Sequence, residues 1–296
     1  MIPTTIQFPE HDPEQLALND FLASAAREGR VEDVASALLK GADPKYKQST
    51  ALRSAARRGW AECVKLLMSD SDAHSDALLG AAMEGHVECV RLLIPASWKK
   101  ADNSAALIQA AVQGHVECVK LLIPKSNPRA ESSGALYWAA LYGRDECVKV
   151  LIPVSNPKAK RSRALEVAAK NGHAECVKIL LPVSDPNVEQ SLTLILAAAN
   201  GRCECVRVLL PACDSLMDNR HPLTAAIDGG HAQVVAIMLE REPALADTMD
   251  FESIQANAKA FGFIALADLA ASRIEQREVE ASTKNSAQTK IRPARL

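Results

Sequence analysis

Residues 107–124 read Leu-Ile-Gln-Ala-Ala-Val-Gln-Gly-His-Val-Glu-Cys-Val-Lys-Leu-Leu-Ile-Pro. Leu107, Ala110 and Ala111 are three and four residues apart, so they share one face of a helix. Gly114 supplies the left-handed backbone that ends that helix. Cys118, Val119, Leu121, Leu122 and Ile123 form a second apolar stripe, and Pro124 stops it. The stretch predicts two short helices joined by a tight glycine turn, with alanines that let neighbouring helices approach closely.

Working outward, the same pattern recurs around Gly29, Gly59, Gly85, Gly143, Gly172, Gly201 and Gly230, and the last five intervals between these glycines are 29 residues each. Leucine stands seven residues before every one, from Leu22 and Leu52 to Leu194 and Leu223. Alanine stands four before each, and again three before each except at Ile227. Pro95, Pro153, Pro182 and Pro211 repeat the second stop. Ser-Asn-Pro at 126–128 and 155–157, and Ser-Asp-Pro at 184–186, then turn the chain by Asx chemistry.

One such pair cannot bury its apolar faces alone, so the pairs must stack, and about three are needed for a stable array. The expected fold is all-α: a helical repeat solenoid of about eight helix-turn-helix units with short loops over residues 18–275. A degenerate ninth unit around Gly262, residues 258–274, caps the core. Residues 1–17 read as an N-terminal extension. Residues 276–296 lack periodicity, and from Lys284 onward carry basic but no acidic residues, which predicts a disordered basic tail.

Lys and Arg number 34 against 36 Asp and Glu, so no overall charge excess draws the chain to nucleic acid or an anionic membrane. The longest apolar runs fall far short of the ~20 residues of a spanning helix, and the acidic, proline-bearing N-terminus lacks a signal-peptide core. These features point to a cytoplasmic protein, or to the host cytosol for a secreted effector.

Gly-His-Val-Glu-Cys-Val-Lys-Leu-Leu at 114–122 resembles the second helix of ankyrin repeats, and Leu-Leu-Lys-Gly-Ala-Asp at 38–43 resembles the segment that follows it. The family repeat is usually 33 residues. Here the shortfall lies between the proline and the next leucine, and only the leucine remains of the usual Thr-Pro-Leu-His start. The resemblance therefore implies stunted projecting loops, and shifts partner binding toward the helix surface.

Six of the eight cysteines, Cys63, Cys89, Cys118, Cys147, Cys176 and Cys205, occupy the fourth position after the repeat glycine, on the core stripe, where cysteine serves as a small hydrophobe. Cys203 and Cys213 are off register and could be exposed thiols. His86, His115, His173 and His231 each follow a repeat glycine and read as turn-stabilising residues. Glu117 with Lys120, Glu146 with Lys149 and Glu175 with Lys178 read as a solvated helix face. No metal-ligand spacing, phosphate loop or nucleophile motif stands apart from the repeats, so neither cofactor nor metal is expected.

The positions that the repeat leaves free carry the functional reading. By resemblance to ankyrin repeats, the two residues before each glycine line the concave, partner-binding surface. Along the array they read Arg57 and Arg58, Met83 and Glu84, Val112 and Gln113, Leu141 and Tyr142, Lys170 and Asn171, then Ala199 and Asn200. Tyr137 and Trp138 place three of the chain's eleven aromatics within six residues on one helix. An exposed cluster of this kind suits a binding hot spot, although the same rings could fill gaps left by the short loops. The loops nearby are basic, with Lys125, Arg129, Lys158 and Arg163. The expected function is a noncatalytic scaffold binding another protein through Tyr137, Trp138, Leu141, Tyr142, Met83, Val112, Arg57 and Arg58, the partner being an apolar segment with acidic flanks. The competing readings are an enzyme or effector module using Cys203, Cys213 or residues 1–17, and nucleic-acid binding by the basic loops and tail.

Overall fold

In the computed structural model, residues 13–69, 71, 74–97, 100–213, 221–247 and 249–290 are described. The chain divides into two compact units, Met1–Ala159 and Lys160–Leu296, and no strand occurs among the described residues.

The first unit is built of five helix pairs: α1 (Pro13–Glu28) with α2 (Val31–Leu39), α3 (Tyr46–Arg58) with α4 (Ala61–Met68), α5 (His74–Glu84) with α6 (Val87–Leu93), α7 (Lys100–Gln113) with α8 (Val116–Leu122), and α9 (Ala130–Leu141) with α10 (Asp145–Leu151). First helices pack on first helices and second on second. The repeat explains the layering. Leu107, Ala110 and Ala111 of α7 and Cys118, Val119 and Leu122 of α8 are all within 1% of complete burial. Each buried leucine contributes about 1.5–3 kcal/mol, while the alanines keep the helices close. Gly114 joins the pair at φ +88.

After α8, Pro124 sits in a 3-10 turn over Ile123–Lys125. The Asn127 side chain then accepts a hydrogen bond from the Arg129 backbone N–H at 3.1 Å, which is the expected Asx turn. The Asn127 N–H in turn donates to Ser104 Oγ, 2.9 Å away at the start of α7. Ser133 does the same for Asn156, also at 2.9 Å. A serine ten residues before the glycine thus pins the loop that leaves its own helix pair. In place of a projecting hairpin, α3 and α9 open with left-handed turns at Lys47–Ser49 and Glu131–Ser133. This conformation costs a non-glycine residue roughly 1–2 kcal/mol.

The second unit repeats the scheme in α11 (Ala159–Asn171) and α12 (Ala174–Leu180), α13 (Val188–Ala199) and α14 (Cys203–Leu209), and α15 (His221–Asp228) and α16 (Ala232–Arg241). Ser162 Oγ accepts from the Asp185 N–H at 3.0 Å. The short α17 (Ala244–Asp247) leads to α18 (Phe251–Ala260), then Gly262 at φ +75, then α19 (Ile264–Lys290). This is the degenerate unit that the sequence predicts, and the Phe263 ring lies against Gly230.

Two expectations differ from the structure. The first helix begins at Pro13 rather than near residue 18. Residues 276–290, expected to be disordered, continue α19. The reason lies in Arg277, whose Nη2 donates to the carbonyls of Ala246 and, at 3.1 Å, Met249, while its guanidinium stacks 4.7 Å from the Phe251 ring centroid. Residues 1–12 and 291–296 lie outside the described residues.

Candidate interaction surface

A side-chain device sets the spacing of the first helices. At six repeats the residue after the glycine reaches back to the carbonyl two residues before the preceding repeat's glycine. His86 Nε2 donates to Arg57 O at 3.0 Å and His115 Nε2 to Met83 O at 3.1 Å. Arg144 Nε makes the equivalent bond to Val112 O at 3.0 Å, and Trp60 Nε1 to Arg27 O at 3.2 Å. In the second unit, Arg202 bonds Lys170 O and His231 bonds Ala199 O. These carbonyls belong to helix C-termini that lack intrahelical partners. His86, His115 and His231 are therefore staples between repeats, a more specific role than turn stabilisation, and Trp60, Arg144 and Arg202 share it.

With these backbones fixed, the free positions fall into three grooves of the first unit. Val112, Trp138 and Tyr142 line one between α7 and α9, with Ile108, Gln109 and Glu131, enclosing 410 Å³. Trp138 and Tyr142 stack there with centroids 6.1 Å apart and planes at 16°, and Tyr137 meets Trp138 edge-on at 5.3 Å. Tyr142 is 48% exposed, whereas Tyr137, Trp138 and Leu141 are half-buried. Met83 and Arg57 line a second groove between α3 and α5. Arg57 and Arg58 line a third cleft with Arg27, Ser54 and Glu84. The eight candidates thus share one series of helices without converging on one pocket. Leu141 lines none of the three grooves.

Ile108, Gln109 and Arg27 join the candidates in these grooves; Arg27 stands two residues before Gly29, a position that the repeat leaves free, and Ile108 and Gln109 stand six and five before Gly114, off the Leu-Ala-Ala stripe. Glu131 carries no such signal, because it lies in the shortened segment outside the helical pattern.

The cysteines follow the packing. The six in-register thiols are buried, and loss of hydration pushes Cys89, Cys118, Cys147 and Cys205 up to about 11. They are neutral at physiological pH. Cys203 is half-buried, with its thiol hydrogen-bonded to Gln233 Oε1 at 3.4 Å and Gly201 O at 3.6 Å. The Glu117–Lys120, Glu146–Lys149 and Glu175–Lys178 pairs form at 2.6–2.7 Å on exposed second-helix faces, where such pairs contribute about 0.2–0.5 kcal/mol each.

A family model described as ankyrin repeats (3 copies) matches residues 21–99, 78–163, 107–190, 136–217 and 165–250. The chain belongs to the ankyrin repeat family. Ankyrin repeats are generally protein-interaction modules, and the fold is typically noncatalytic. A crystal structure of the human ASB11 ankyrin repeat domain matches at 20% identity and a TM-score of 0.49, covering 60% of this chain and 96% of that one. No curated protein matches by sequence. No described helix of this ankyrin repeat chain is long and apolar enough to cross a membrane.

Proposed function

We propose that the chain is a noncatalytic scaffold that binds a segment of another protein across the first-helix face of its N-terminal unit, the face that forms the concave surface in ankyrin repeats. The observation that carries this reading is the stacked Trp138–Tyr142 pair, with Tyr142 half exposed beside the apolar groove between α7 and α9. Such rings lose little conformational entropy on binding and bury a large area, which is what a hot spot requires. Tyr137 and Leu141 support them from the same helix. Val112 and Met83 carry an apolar strip toward Arg57 and Arg58, where an acidic flank of the partner is received. Free, buried thiols fit a reducing compartment such as the cytosol.

The test is a crosslinking capture comparing the wild type with a Tyr137→Ala, Trp138→Ala, Tyr142→Ala variant whose circular dichroism is native. Proteins recovered only by the wild type support the assignment. Identical recovery by both chains moves the site off this face.

A further inference from the structure

We propose that Arg27, Arg57 and Arg58 form a receptor for a phosphate group carried on the partner protein, a proposal that rests on the protein-binding reading above and adds a recognised chemistry to it. The three arginines come from the C-terminal turns of α1 and α3 and line one cleft of 510 Å³ with Ser54 and Glu84. Arg57 Nε lies 3.4 Å from Glu84 Oε1, both side chains being largely exposed. The guanidinium groups of Arg27 and Arg58 have no hydrogen-bond or ion-pair partner among the described residues.

The fold does not require these cations. Basic residues at a helix C-terminus complement its dipole, but α5, α7 and α9 of the same unit have none in their last turns. The matching register positions there hold Met83 and Glu84, Val112 and Gln113, Leu141 and Tyr142. Three arginines on two adjacent helices are therefore a local feature of this cleft. Against one carboxylate they leave an excess of positive charge that a phosphate monoester, carrying about −1.5 to −2 near neutral pH, balances better than a single carboxylate does. Guanidinium forks also match phosphate oxygens in pairs, and a serine hydroxyl adds a further donor.

The stems of two of these arginines are fixed before any ligand arrives. The Arg27 carbonyl accepts from the Trp60 indole at 3.2 Å, and the Arg57 carbonyl from His86 at 3.0 Å. Binding then costs the ordering of side chains only. The aromatic groove lies three first-helix spacings further along the same unit. At ~8–10 Å per spacing that is roughly 24–30 Å, which an extended segment covers in about seven to nine residues. The ligand that fits is a phosphorylated residue about seven to nine positions from an apolar or aromatic anchor.

The first measurement is NMR of the arginine Nε–Hε groups in the full chain, titrated with O-phosphoserine, with inorganic phosphate, and with sodium chloride at matched ionic strength. Saturable shifts of Arg27, Arg57 and Arg58 with both phosphates, absent with chloride, are expected, and no such shift overturns the site. The second is retention of a random twelve-residue peptide library with one fixed phosphoserine, against the same library with serine. Phosphopeptides should be retained at least about tenfold better, and Arg27→Gln or Arg58→Gln should each remove about tenfold. Phosphate shifts without a phosphopeptide preference would reduce the cleft to a free-ion site and overturn the partner assignment. So would single-stranded RNA bound in place of peptide and lost in the same variants. The Tyr137, Trp138 and Tyr142 triple alanine variant separates the two readings: it should retain the arginine shifts with phosphate while losing peptide, and unchanged peptide retention would fault the aromatic hot spot alone.

Discussion

His115 Nε2 donates a hydrogen bond to the carbonyl of Met83, 32 residues upstream and in the preceding repeat, at 3.1 Å. Replacing His115 with alanine removes this bond and leaves a helix-terminal carbonyl without its partner. A loss of about 1 kcal/mol in urea denaturation is expected. His115→Arg should recover most of it, because Arg144 makes the same bond one repeat later. Equal losses for the two variants would show that the contact acts by ring packing alone.

Gly85 combines two constraints. Its φ is +80, and a Cβ there would lie 2.5 Å from the His115 ring. Gly41 has a similar φ of +89 but open space around it. Gly41→Ala should therefore show the backbone cost alone, about 1–2 kcal/mol, and Gly85→Ala clearly more. The excess should shrink in a Gly85→Ala, His115→Ala double variant, a non-additivity that equilibrium denaturation reads directly.

The buried thiols set an alkaline limit. Cys89, Cys118, Cys147 and Cys205 titrate near 11 when folded because burial disfavours the thiolate, against roughly 8.5 for a free cysteine. A folded pKa above the unfolded value means that the full contribution is present below pH ~8.5 and is lost as pH rises toward 11. The urea midpoint should fall steeply across that window, and more gently in a variant with these four cysteines replaced by alanine. Native-state thiol labelling near pH 8 should reach Cys203 and Cys213 well before the six in-register thiols.

Arg277, midway along α19 and at the start of 276–290, ties the helix to Ala246, Met249 and Phe251. Arg277→Ala should speed hydrogen exchange of the amides at 276–290 several-fold while leaving Phe251–Ala260 protected. Unchanged exchange would mean that the helix persists on its own propensity.

The architecture was legible because its signals are local. Leu107, Ala110, Ala111 and Gly114 declare a helix and its end within eight residues, and registered repetition of that pattern multiplies the evidence. The staples were not legible as such. Trp60, His86 and Arg144 look chemically unrelated, and only their shared acceptor, a backbone carbonyl 29–33 residues upstream, reveals a common task. The helix in 276–290 was hidden for a similar reason, since a single arginine bound to distant carbonyls leaves no periodic trace. At the surface, the repeat marked which positions were free, but how Trp138, Tyr142 and Val112 fall into one groove, while Met83 falls into another, depends on helix packing that spacing alone does not specify.

The staples also have a direction. In every described case the acceptor precedes the donor along the chain, so trimming a repeat from the C-terminal side takes away a donor and uncovers a helix-terminal carbonyl, whereas trimming one from the N-terminal side leaves a donor side chain without its acceptor.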